Sequence, residues 1–239
     1  MEATGNQISA GKVVSEALDT YRDYFGPVFG GALILIGIAA VINGLLATSD
    51  SAILVALGSI VALVAQFLYT GYVVKLVQDV RDGTRDSSVG GLMSAAAPYV
   101  LPLILNGILA GIAIAIGFVL LIVPGLFLIT IWAVISPSIV VENQGVLGAF
   151  GRSRELVKGN GWSVFGAIVI AFLIVIITSI VFSAIGAAIG DDAGATILGA
   201  IGQVLVTPIA ALVASILFFD LGGGSGTASP PADAAAPAT

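Results

Sequence analysis

The chain has 239 residues, of which 58% are hydrophobic and only 9% charged, with a mean hydropathy of +1.14. A soluble domain carries roughly 25% charged residues to cover its surface, so this composition excludes a soluble globular protein and describes an integral membrane one. With no cysteine and no histidine, the chain lacks disulfides, thiol nucleophiles, thiolate or imidazole metal ligands and any imidazole base. A formal charge of −6 argues against a nucleic-acid partner, which needs a basic face.

Residues 8–24 place Val14, Leu18, Tyr21 and Phe25 at spacings of 4, 3 and 4, with Lys12, Glu16, Asp19, Arg22 and Asp23 between them. This pattern predicts an amphipathic helix along the membrane interface, so that 1–26 forms a cytoplasmic interfacial segment. Pro27 then suits the start of a new helix, where its missing N–H is no loss. The charge-free runs 24–49, 51–74, 159–190 and 193–219 each have length for one crossing at about 20 residues per span. The run 87–141 has 55 residues; as one helix it would reach about 82 Å at 1.5 Å per residue, against roughly 30 Å of hydrocarbon, so it crosses twice.

The fold-back point is expected at Val123-Pro124-Gly125, the one strong punctuation in that run. The fold class is therefore all-α and polytopic, with a transmembrane domain over 27–219. Its spans are predicted at 27–47, 52–74, 99–121, 125–141, 163–188 and 195–218. Short helices at 88–97, with Ser87 or Ser88 as N-cap, and at 145–158 introduce the second and third hairpins. In the latter, Val146, Phe150 and Val157 are expected to face lipid, and Arg152, Glu155 and Lys158 water. Val28-Phe29-Gly30 and Val164-Phe165-Gly166 stand at matching places, so the chain reads as three units of interfacial helix plus hairpin. After Leu221 the composition turns to glycine, then proline and alanine, and 220–239 is expected to be a disordered tail.

All eight basic residues fall before span 1 (Lys12, Arg22), between spans 2 and 3 (Lys75, Arg81, Arg85) or between spans 4 and 5 (Arg152, Arg154, Lys158). The other connections hold only Asp50 and the pair Asp191 and Asp192. The positive-inside rule then puts both termini in the cytoplasm and the protein in the cytoplasmic (inner) membrane. The first apolar run is too long for a signal-peptide core, so span 1 is expected to be retained.

No charge lies deep within any span, which disfavours a proton-coupled pump. Asn43, Gln66, Thr70, Asn106, Thr130, Gln203 and Thr207 are the principal intramembrane polar groups, and such groups bond to neighbouring helices or to the backbone one turn earlier. Pro137 and Pro208 are expected to kink spans 4 and 6. Arg152, Arg154 and Lys158 form a candidate contact for anionic lipid head groups. Glu142 is expected to pair with Arg152 or Arg154 and fix how the 145–158 helix leaves the membrane. No catalytic constellation, cofactor site or metal site is visible, and Asp191 and Asp192 lack a facing carboxylate.

The stretch Leu121-Ile122-Val123-Pro124-Gly125, then Glu142, then Ala149, Arg152-Ser153, Leu156-Val157-Lys158-Gly159 and Trp162 resembles the glycerophosphoryl diester phosphodiesterase membrane domain and related six-span prokaryotic proteins. The resemblance covers most of 8–219. It implies a fold and a membrane location but no activity, since in fused members catalysis belongs to a separate soluble domain with metal-binding carboxylates and histidines. The expected role is structural, scaffolding or lipid-interacting, in contact with membrane lipids and open to a protein partner on the cytoplasmic face. Two alternatives are a permease for a small neutral or amphiphilic solute and the anchor of a separately encoded enzyme. The sequence sets no oligomeric state.

Overall fold

A computed structural model describes residues 8–83, 88–189 and 192–224. Helix α1 (Ala10–Asp23) leads into a first hairpin: α2 (Phe25–Ala32), a π-helical turn (Leu33–Gly37) and α3 (Ile38–Ala47) on one leg, α4 (Ala52–Asp82) on the other. Helix α5 (Val89–Ala96) and a 3-10 turn (Ala97–Tyr99) precede the second, α6 (Val100–Leu120) against α7 (Ile122–Ile131) and α8 (Ile135–Glu142). Helix α9 (Val146–Val157) precedes the third, α10 (Gly161–Ile189) against α11 (Asp192–Asp220). Among the described residues, six helical segments are long and apolar enough to cross a membrane.

The second legs of the hairpins, α4, α8 and α11, touch one another and form the centre. Each short helix docks on the hairpin before its own: α5 on α4, α9 on α6, α7 and α8, and α1 on α10 and α11, closing the ring. The apolar faces of α1 and α9 therefore meet protein, which corrects the expectation that Val157 of α9 faces lipid. Val13, Val14 and Ala17 of α1 are buried, as are Ala149, Leu156 and Val157 of α9. The physical reason is that a helix with one apolar stripe buries it in the nearest apolar groove, and the preceding hairpin offers one. Tyr21 follows α1 into this groove and donates to the Leu205 carbonyl at 3.2 Å; burial pushes its phenol pKa up, keeping it a donor.

Several boundaries differ from the sequence expectation. Helix α4 continues past residue 74 to Asp82 and stops at Gly83, whose φ of 74° caps it in the left-handed region; charge does not end a helix that has left the hydrocarbon. Ser88 is the cap of α5, its hydroxyl accepting from the Gly91 N–H at 3.1 Å. Ser87 and Asp191 lie outside the described residues, as does 225–239. Residues 221–224, placed in the tail by composition, form turns packed on α11, with Gly222 at φ 85° and Gly224 at φ 78°. Their N–H chemistry continues the helix end, Gly223 donating to the Phe218 carbonyl at 2.9 Å.

The fold-back of the second hairpin lies at Leu121, extended at φ −164°, ψ 151°, not at Pro124-Gly125. Pro124 falls in the first turn of α7, where an amide N–H has no intrahelical partner to lose. Gly125 serves the close approach instead: a Cβ there would meet the Phe118 ring at 2.6 Å, and one on Gly117 would meet Gly125 at 3.1 Å.

The first hairpin is fixed by two buried tyrosines of α4. Tyr69 donates to the Val28 carbonyl at 3.1 Å and Tyr72 to the Pro27 carbonyl at 2.8 Å. The Tyr72 ring lies over Gly31, where an added Cβ would meet it at 2.6 Å. Tyr72→Phe should cost about 1 kcal/mol, one net hydrogen bond. Gly31→Ala should cost more, because the ring itself must move out of a packed core. Thermal melts in detergent check the order, and a Gly31→Ala protein as stable as wild type would contradict this packing.

Candidate functional site

Span 4 is not one helix. Helix α7 packs between α6 and α10 as far as Ile131; the chain then breaks at Trp132–Val134, and α8 turns to pack on α4, α9 and α11. Trp132 (φ −107°, ψ 14°) and Val134 (φ −113°, ψ 23°) both leave the helical region. Pro137, expected as the cause of a kink, sits in the first turn of α8, where it is tolerated. The break thus precedes it by three to five residues.

A break inside hydrocarbon frees backbone groups that water cannot satisfy. Ser153 of α9, fully buried, satisfies two of them: its hydroxyl donates to the Ile131 carbonyl at 2.9 Å and accepts from the Val134 N–H at 3.3 Å. The Phe150 ring, one turn earlier on α9, packs edge-on against Trp132 with centroids 4.8 Å apart. Asn106 of α6 ties down the start of α9, donating to the Val146 carbonyl at 2.8 Å.

Glu142 and Arg152 lock the other end of α9. Arg152 Nε donates to Glu142 Oε2 at 2.6 Å and its Nη2 to Oε1 at 2.7 Å. Oε1 also accepts from the Gly224 N–H at 3.0 Å. Glu142 is only 6% exposed, and a fork-shaped pair of this kind is the strong form of the ion pair. Arg154 and Lys158 are exposed, so of the three basic residues singled out for lipid contact the structure commits one to protein and leaves two at the surface. Trp162, 87% exposed, follows them at the start of α10. A second junction lies nearby: Arg81 of α4 joins Glu16 of α1 at 2.6 Å and Asp220 of α11 at 3.0 Å, with its guanidinium over Phe219.

Where α7 hands over to α8, a partly open cavity of about 450 Å³ remains among α4, α6, α7, α8, α10 and α11. Small side chains make it: Gly107, Ala110, Ala133, Ala171, Ala210 and Ala214 all line it. Asn106, Ser136 and the Trp132 indole supply its polar side-chain groups. Gln66 and Gln203 are exposed on the outside of the bundle and do not line it. Thr70, Thr130 and Thr207 bond to carbonyls of their own helices at 2.7 to 3.0 Å. No buried side-chain polar atom lacks a partner among the described residues. Helix α11 runs through Pro208 without interruption.

Residues 13–222 match a family described as a domain of unknown function, DUF7847. The chain belongs to that family. It is also similar to a UPF0259 membrane protein of Pectobacterium carotovorum, 34% identical over 164 residues, which is 68% of this chain and 63% of that protein. The match thus spans less than two thirds of that relative's length. No solved structure matches the chain. The DUF7847 match runs from within α1 through the broken span 4, α9 and Gly222, so all of the site but the Gly224 amide lies within the family region.

Sequence reasoning missed Ser153 and the Gly224 amide. Ser153 carried a signal only as the neighbour of Arg152 on an amphipathic helix that had to pack somewhere. Ser153→Ala should lower stability by about 1–3 kcal/mol, since it leaves a buried N–H and a buried carbonyl unpaired. Glu142→Gln keeps the shape but removes the charge from both guanidinium bonds, and should cost about 1.5–3 kcal/mol. Detergent melting curves measure both, and wild-type values would show that the break is held by other contacts.

Proposed function

We propose that the protein is a non-catalytic, lipid-interacting structural component of the cytoplasmic membrane, with its basic helix ends and both termini inside. The observation that carries this reading is the wall of the intramembrane cavity. A pathway for a polar solute needs unengaged polar groups along its length. Here Asn106 is bonded to α9 and Gln66 and Gln203 face outward, which leaves only the Ser136 hydroxyl and the Trp132 indole as polar groups of the wall among the described residues. What surrounds the space is chiefly Leu, Ile, Val, Phe, Gly and Ala, which favours lipid over a permease substrate. An anchoring role would use a free apolar face on the short helices, and the bundle already occupies those of α1 and α9.

The basic end supports the same reading. Arg154, Lys158 and Trp162 are exposed at the α9–α10 junction, a combination of cations and an amphipathic ring suited to anionic head groups at the membrane edge. The resemblance to the glycerophosphoryl diester phosphodiesterase membrane domain agrees with a membrane-organising role and contributes no activity.

Native mass spectrometry of the protein extracted in mild detergent tests the reading. Anionic phospholipid should remain bound, and Arg154→Ala with Lys158→Ala should reduce it several-fold at unchanged melting temperature. Arg152→Ala should instead act on stability, because its partner Glu142 is left without a counter-charge. Lipid retention indifferent to Arg154 and Lys158, or uptake of neutral solutes into proteoliposomes, would overturn the reading. In intact cells a cysteine at position 158 should resist a membrane-impermeant thiol reagent until the cells are opened; labelling before opening would invert the orientation.

A further inference from the structure

We infer that the cavity beside the α7–α8 break is a binding site for one acyl chain of a membrane phospholipid. The inference rests on the lipid-interacting reading above and names its ligand and place. Three observations carry it. First, the space is built rather than accidental: small residues from three helices, among them Gly107, Ala171 and Ala214, face it together with Ala133 of the break and the vacated path of span 4. On α11, the most enclosed of the spans, Ala210 is nonetheless exposed and Ala214 half-exposed, so their accessible surface opens onto this space. Second, its size of about 450 Å³ falls within the roughly 300–1,000 Å³ of ligand sites. An apolar void that size left empty would forfeit the dispersion contacts of its whole lining.

Third, its chemistry selects a hydrocarbon. Most of the polar groups around the break are turned to one another, Ser153 to Ile131 and Val134, Asn106 to Val146, and Ser138 to the Val134 carbonyl at 2.8 Å, which leaves the cavity little more than the Ser136 hydroxyl and the Trp132 indole. Water needs two to four polar partners in such a place, and an acyl chain needs none. Along α10 the stripe Phe165, Ile168, Phe172 and Val175 recurs at spacings of 3, 4 and 3, and its last three members line the cavity. Phe165 packs edge-on to the exposed Trp162 at the membrane edge, so one helical face runs from the head-group level to the cavity.

Photolabelling with the full-length protein tests this. The protein is reconstituted in vesicles of phosphatidylethanolamine and phosphatidylglycerol containing a phosphatidylglycerol with a diazirine near the end of one acyl chain. Label should appear in peptides covering 129–136 and 168–175, and should be lost from them in Ala171→Phe and in Ala214→Leu. Label on the lipid-facing stretch 118–123 should stay unchanged in the same variants. The chain has no native cysteine, so Ala214→Cys offers an independent readout: protection from a small water-soluble maleimide in intact vesicles is expected. Absence of cavity label in wild type, persistence of that label in the filled variants, or maleimide reaction at position 214 would overturn the inference. Should cavity label be absent while anionic lipid is still retained through Arg154 and Lys158, the site fails and the broader reading stands. Should lipid retention fail as well, both fall.

Discussion

A helix broken inside hydrocarbon must find protein partners for the backbone groups it frees, and this constraint organises the molecule. At Trp132–Val134 the ladder of span 4 is interrupted, and one hydroxyl, Ser153, serves as donor and acceptor across the gap. That hydroxyl is useful only if α9 is held against the break. Asn106 holds the start of α9 and Arg152, next to Ser153, holds its far part through Glu142. In lipid there is no water to take over if either hold fails. The short helix is therefore an integral part of span 4, contributed from outside it.

The interruption also redirects the chain. Helix α7 is packed with α6 and α10, α8 with α4 and α11. A straight helix could not serve both sets of neighbours. The change of partners lets α8 join α4 and α11 at the centre, and the displaced volume becomes the cavity lined by Gly107, Ala171 and Ala214. Packing at the centre and a void beside it have one cause.

The number of spans and the short helix before each hairpin were legible in the sequence, because charge and hydropathy register directly what hydrocarbon accepts. Glu142 and Arg152 were visible as complementary charges on either side of one turn. Other features depended on contacts that no local pattern encodes. Proline was read as the point of breakage at 124 and 137, yet in both places it opens a helix whose break lies upstream, since the ring is tolerated where the N–H is already orphaned. Glycines 222 to 224 read as a flexible tail by composition, whereas positive φ at Gly222 and Gly224 bends the chain back so that an amide reaches Glu142. The amphipathic faces of α1 and α9 were recognised, but a hydrophobic stripe does not state whether lipid or protein will cover it.

What covers them is decided by connectivity. Helices α5 and α9 each follow a hairpin and lie across it before the chain enters the next one, and α1 takes the groove of the α10–α11 hairpin. The ring so closed brings the middle of α1 to the ends of α4 and α11, and there Arg81 joins Glu16 and Asp220 from residues far apart in sequence. Four residues beyond Asp220, the Gly224 amide meets the carboxylate that also holds Arg152. The end of α11 is thus shared by both charged junctions, one closing the ring and one holding α9 on the break. The basic side of the bundle is therefore tied together by charged contacts, while the helices elsewhere present exposed Leu, Ile and Val.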